Sequence, residues 1–295
     1  MDRQKKAYCL GIATVMLWST VASAFKLSLR YLTPVELLFY AALFSSFLLF
    51  LTVVLQGKIQ LLAQADRKTW RNSVLFGLLN PFLYYLVLFK AYDLLPAQQA
   101  QPLNYTWAIT LSLLSVPLLG QTLRLKQIIA IIISYFGVYI ISTRGEIFSF
   151  SFENPFGVLL ALGSTIIWAL YWILNTKDKR DPVVGLFLNF FCSIPFIGIY
   201  LALSEGFRIV PVAGLLGSAY VGCFEMGIAF ILWLMAMKLT RSTAKIANLI
   251  FISPFLSLVL IHFFVGETIL PSSLFGLIFI MVGLFVQVAG KKERL

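Results

Sequence analysis

Apolar runs of about 20 residues recur along nearly the whole of this chain, and few structures can absorb them. A helix of that length is long enough to cross the roughly 30 Å hydrocarbon core of a bilayer. Inside that core no water is available to backbone N–H and C=O groups, so only helices and closed barrels satisfy them. A barrel needs alternating segments of about 10 residues, and the sequence lacks them. Composition agrees. Hydrophobic residues make up 60% and charged residues 12%, against about 45–50% and about 25% in soluble domains. The sequence therefore predicts an all-α polytopic membrane protein.

Ten transmembrane helices fit the pattern, at roughly 8–28, 33–56, 71–92, 96–118, 124–142, 155–174, 183–204, 211–237, 243–264 and 272–290. Helix-boundary signals separate them, such as "YLTP" before the second, "DLLP" before the fourth and "DKRDP" before the seventh. "MDRQKKAY" followed by an apolar run, with "ASA" at 22–24, has the form of a signal peptide. With so many spans after it, the first helix is expected to remain as an anchor. Cys9, Cys192 and Cys223 are widely spaced in or beside apolar runs, which suits small buried hydrophobes rather than a disulfide or metal framework. No cofactor is expected.

Charge predicts the orientation. With the N-terminus in the cytoplasm, only Lys26, Arg30, Lys90, Arg144 and Arg208 fall on the outer side, leaving 18 of the 23 Lys and Arg residues inside. This is the positive-inside pattern. It predicts a bacterial-type cytoplasmic (inner) membrane protein with both termini cytoplasmic. The same scatter of cations over loops, facing anionic headgroups, accounts for the net charge of +11 without nucleic acid as a partner.

The second half echoes the first. "LLGQTLRLKQIIAIIISYFGVYII" from Leu118 aligns with "FVGETILPSSLFGLIFIMVGLFVQ" from Phe264, pairing Gly120 with Gly266, Gln121 with Glu267, Thr122 with Thr268 and Gly137 with Gly283. Upstream, "FKAYDLLPA" matches "LMAMKLTRS", and Pro34 and Pro182 each open the second helix of a half. Two five-helix repeats follow, 1–145 and 146–295. Five is odd, so the second copy crosses the membrane in the opposite sense. Inverted repeats of this kind are built around a midplane substrate site that is alternately exposed to either side.

The order and spacing of these features resemble the drug/metabolite transporter superfamily, of the EamA type: ten spans in two halves, the "G-E-T" at Gly266–Thr268, the glycine spacing after it and Pro254 in the ninth span. The resemblance covers essentially the whole chain. Gln121 stands where an acidic residue is common in the family, and Ala108 where proline is common. The resemblance implies a transporter, and similar proteins export amino acids, often aromatic or branched, and related metabolites. Others move nucleotide sugars or amines.

Polar residues at membrane depth are the candidate site. A charge near the bilayer centre costs about 2.5–3.5 kcal/mol on insertion scales and normally faces a bundle interior or a water-filled cavity. Glu225 lies near mid-span in "GCFEMGIAFILW", on a face shared with Gly222 and Ala229. It is expected to bind a substrate amine or exchange a proton with it. Asn80 in "GLLNPFLYY" occupies the equivalent place in the first half and is expected to meet the same cavity. In "PAQQAQPLNYTW", Gln98, Gln101 and Asn104 fall on overlapping helical stripes, and their amides both donate and accept. Trp18 and Trp168 sit near mid-span, away from the interfacial belts that usually hold tryptophan. Tyr84, Tyr171, Trp172 and Trp107 complete an expected aromatic ring, suited to an apolar side chain or a cation. Each residue has a plainer alternative. Glu225 could bond to Asn248 or Ser253, the amides could be interhelical glue at about 0.6 kcal/mol per bond, and the rings could be packing. Lys26 and Glu36 could pair as an outer gate.

The sequence-level reading is a secondary active exporter of aromatic or large apolar amino acids or related metabolites. Binding residues would be Glu225, Asn80, Trp18, Tyr84, Gln101, Asn104, Trp168 and Trp172, with Glu225 also the proton-coupling group. Export of amphipathic organic cations keeps the fold and changes the cargo. A non-transporting scaffold leaves the inverted repeat unexplained. No metal cluster, serine dyad or phosphate-binding loop suggests an enzyme or an ATP-driven pump. One chain suffices to enclose the cavity, and the lipid-facing surface leaves room for a dimer.

Overall fold

The computed structural model describes residues 2–120, 122, 125–148, 154–175, 178–240, 246 and 248–289. Among the described residues regular structure is helical, with no strand. The principal helices are α1 (Arg3–Ser28), α2 (Pro34–Leu55), α3 (Arg67–Leu94), α4 (Ala97–Tyr105), α5 (Trp107–Leu119), α6 (Leu125–Ser142), α7 (Pro155–Asn175), α8 (Pro182–Ser204), α9 (Val212–Met237), α10 (Leu249–Val265) and α11 (Pro271–Ala289). Of these, α1, α2, α3, α6, α7, α8 and α9 are long and apolar enough to cross a bilayer, while α4, α5, α10 and the apolar stretch Pro271–Gln287 of α11 are shorter. The protein is an all-α, multi-pass membrane protein.

Local chemistry sets the helix ends. Pro34 and Pro182 occupy the first helical position, where a missing N–H is harmless. Thr33 and Glu36 form a reciprocal capping box at α2, and Asp181 accepts from the Val183 and Val184 amides at α8. Gly120 and Gly266 end α5 and α10 in the left-handed region, with φ of +64° and +82°, where a side chain would be strained.

The fourth expected span is not one helix. It breaks at Thr106, whose hydroxyl takes the Leu103 carbonyl at 2.7 Å. That carbonyl would otherwise serve the next turn. In α3 the break falls at Asn80, which is extended (φ −146°, ψ 117°). Asn80 precedes Pro81, and a residue before proline is driven out of the helical region by the ring.

Close packing is made where small residues meet backbone. In α6 and α11, Gly137 lies against the Gly276 carbonyl, the Ser134 hydroxyl reaches the Ile280 carbonyl at 3.3 Å, and Gly283 lies against the Ala130 carbonyl. Numbers rise on one helix as they fall on the other, so the pair is antiparallel. Gly77 of α3 meets the Asn189 carbonyl of α8, and Gly222 of α9 meets the Ala41 carbonyl of α2. A Cβ at either glycine would overlap that oxygen. This is the small-residue packing by which membrane helices associate without a hydrophobic driving force. On the face it shares with Glu225, Gly222 thus admits a neighbouring helix, α2.

Candidate functional site

A cavity of about 730 Å³ lies among the helices, with walls contributed by α1, α3, α4, α5, α6, α7, α9, α10 and α11. Its volume is in the range of small-molecule sites. Trp18, Tyr84, Gln101, Asn104, Trp168, Trp172 and Glu225 all line it. The sequence pointed to these seven together. The eighth, Asn80, is not on the lining. It is fully buried, and its amide atoms make no well-formed hydrogen bond, with the Tyr171 hydroxyl beside them. Tyr84 and Trp168 stack on the wall with centroids 4.5 Å apart, and Tyr171 stacks on Trp168 at 5.7 Å without lining the cavity. Asn80 and Glu225 therefore do not converge on the cavity as expected.

Glu225 lies near the midpoint of α9, within a stretch of wide, π-type turns over Val221–Ala229. It is partly accessible, through the cavity. The Tyr85 hydroxyl donates to Oε1 at 3.4 Å, a weak bond, while Oε2 is buried without a partner. The Trp18 indole also lies in hydrogen-bonding reach of the carboxylate. Among the described residues no Lys, Arg or His lines the cavity. Of the two alternative partners, Ser253 bonds elsewhere. Ser253 is engaged by Ser19 and Tyr105 at 3.2 and 2.9 Å, and the Asn248 side chain lies outside the described residues.

Around Glu225 the wall is largely aromatic. Trp18 packs edge-on against Phe230 and tilted against Trp233, while Trp168 meets Trp172 and Phe230. Trp107 lines the cavity too; Tyr171 does not, and stands behind Trp168. Asn104 is held in place, donating to Ser164 at 3.0 Å and accepting from Tyr84 at 3.4 Å. Gln101 is buried, and its Oε1 has no partner.

The two ends of the cavity differ. At one end Leu119 and Thr122 are exposed and Gln127 half-buried. At the other end Phe25 and Tyr92 are buried and pack edge-to-face, with Phe89 beside Phe25. Behind this plug the α3–α4 turn is bolted from two sides. The Lys26 ammonium donates to the carbonyls of Tyr92 and Leu95, at 2.6 and 2.7 Å, at the C-terminus of α3. The Glu267 carboxylate accepts from the Ala97 and Gln98 amides, at 2.7 and 3.1 Å, at the N-terminus of α4. Each charge opposes the matching end of a helix dipole. The Gln98 side chain ties the same turn to Thr268, Leu270 and Ser273, so its role is structural. The expected Lys26–Glu36 gate is absent: Glu36 pairs instead with Arg208 at 2.6 Å. Gln121, the aligned counterpart of Glu267, lies outside the described residues.

Sequence reasoning missed Tyr85, Phe230, Trp233 and the Phe25–Tyr92 plug. Tyr85 meets Glu225 across 140 residues of chain, a pairing with no local signal. The "G-E-T" glutamate was singled out by position, but its capping of α4 was not.

The model of the EamA-like transporter family matches residues 5–143 and 155–289. Among curated proteins, the chain is 25% identical over 235 residues to the uncharacterized transporter YvbV of Bacillus subtilis, covering 77% of this chain and 75% of that protein. It is 26% identical over 253 residues to the aromatic amino acid exporter YddG of Ancylobacter novellus, covering 80% of each. A crystal structure 23% identical in sequence superposes with a TM-score of 0.66 over 97% of this chain and 96% of the other, which speaks to the fold.

Proposed function

The chain belongs to the EamA-like transporter family, and from that premise we propose that it is a secondary active exporter whose cargo joins a positively charged amine to an aromatic or large apolar body. Amino acids of that kind, or related small metabolites, are the first candidates. The observation that carries this reading is Glu225: a carboxylate at mid-helix, on the wall of an aromatic cavity, with one oxygen unpartnered and no described cation beside it. Such a group calls for a counter-charge, because an isolated buried charge is expensive. A substrate ammonium supplies it in one state and a proton in another, so the two compete for one site. That competition is the simplest route to proton-coupled export.

The transport cycle follows from the two ends. We assign residues 1–145 and 146–295 to two inverted five-helix repeats that rock about the cavity. In support, the offset that pairs Gly120 with Gly266 also relates the two sides of the α6–α11 contact. With both termini in the cytoplasm of a bacterial-type inner membrane, as the basic residues suggest, the open end faces inward and the Phe25–Tyr92 plug closes the outside. The relative named as an aromatic amino acid exporter supports an aromatic cargo and outward flux.

The test is transport by purified protein in liposomes. Labelled phenylalanine, tryptophan and leucine are offered to wild type and to Glu225→Gln, with and without an imposed pH gradient. Wild-type transport that follows the gradient and is lost in the variant is the expected result. Equal transport by the two proteins would make Glu225 structural.

A further inference from the structure

Resting on that reading of Glu225, we infer that the cavity recognises the amine of its cargo but not a carboxylate, so that organic monocations such as arylalkylamines are preferred over the zwitterionic amino acids. The observation is a charge inventory. The described lining residues carry one acidic side chain, Glu225, and no basic one. The fully buried polar atoms of lining residues that are left without partners point the same way. Glu225 Oε2, Gln101 Oε1 and Gln287 Oε1 are acceptors, and Trp172 Nε1 is the one donor among these. An ammonium group has three N–H donors and no acceptor, and a carboxylate has acceptors only. The wall is complementary to the first.

Several donors of the lining are already committed. Asn104 Nδ2 donates to Ser164, and Gln287 Nε2 to the Ala108 carbonyl and to Ser112. The Tyr85 hydroxyl is turned to Glu225 itself, and the Tyr105 hydroxyl to Ser253. A bound zwitterion would place its ammonium against Glu225 and leave its own carboxylate in an aromatic chamber without a cation, where desolvation is costly. A monocation leaves a neutral pair. The rings of Trp18, Trp168 and Trp172 add favourable faces for a cation and for an aryl body.

The experiment measures equilibrium binding of four labelled probes to the purified full-length protein: tryptamine, tryptophan methyl ester, tryptophan and indole. All four share the ring and differ in charge. The expected result is binding of tryptamine and the ester, with tryptophan and indole at least tenfold weaker. Glu225→Gln should abolish tryptamine binding, and Gln101→Leu should weaken it several-fold. Tryptophan binding as tightly as tryptamine, with both lost in Glu225→Gln, would overturn this inference and leave the Glu225 site intact. Indole binding as well as tryptamine, unchanged in Glu225→Gln, would overturn both. So would the binding of no probe by protein that melts cooperatively.

Discussion

Asn80 and Glu225 sit near the midpoints of α3 and α9, each three residues after a glycine pressed on a neighbouring backbone. Both helices lose regularity there, α3 through the extended Asn80 and α9 through its wide turns. Beyond the backbone the two places diverge. Asn80 is fully buried beside Tyr171, whereas Glu225 lines the cavity. The difference teaches that matched position and matched packing do not carry matched chemistry. Gly77 and Gly222 fix where α3 and α9 approach α8 and α2, yet of the two mid-helix polar residues only Glu225 lines the cavity.

The largest expected effect breaks the comparison at its charged side. Glu225→Gln should reduce transport by about thirtyfold or more, because removing one member of a desolvated charge pair costs roughly 2–5 kcal/mol. Uptake into liposomes measures it, with a thermal melt showing that the variant is folded. Next in size is a test of what the two places share. Gly77→Ala and Gly222→Ala should each destabilise the protein by about 1–3 kcal/mol, as overpacking of a tight contact does. Melting temperatures in detergent check this, and a large loss in one variant alone would show that the two contacts are not equivalent. Smaller still is the effect at the closed end. Lys26→Met and Glu267→Gln each remove a charge from a helix end, worth about 0.3–2 kcal/mol. Both should melt a few degrees lower while probe affinity stays within about threefold. The smallest effect is expected at Asn80→Ala. Its amide makes no well-formed hydrogen bond, so transport should remain within about threefold of wild type.

Much of this was legible in the sequence because membranes impose simple rules. Long apolar runs gave the fold class, and Pro34 and Pro182 marked helix starts that the structure places at the first turn. Glu225, Trp18, Trp168 and the α4 amides stood out because polar and tryptophan residues are conspicuous at mid-span. What the sequence did not reveal depends on contacts between distant segments. The Tyr85–Glu225 approach and the capping of α4 by Glu267 each join residues 140 or more apart. The Arg208–Glu36 pair did the same to the Lys26–Glu36 expectation. Asn80 was misplaced for a related reason: an alignment of halves gives depth along a helix, but rotation about its axis is reset by the Asn80 break before Pro81.

The most direct test of Glu225 as the centre of the substrate site is a side-by-side transport assay of Glu225→Gln and Asn80→Ala, in liposomes, at equal and verified protein insertion. The account predicts loss of about thirtyfold or more in the first and near wild-type rates in the second. Equal rates in the two variants would contradict it, since the two mid-helix polar residues would then be interchangeable structural elements.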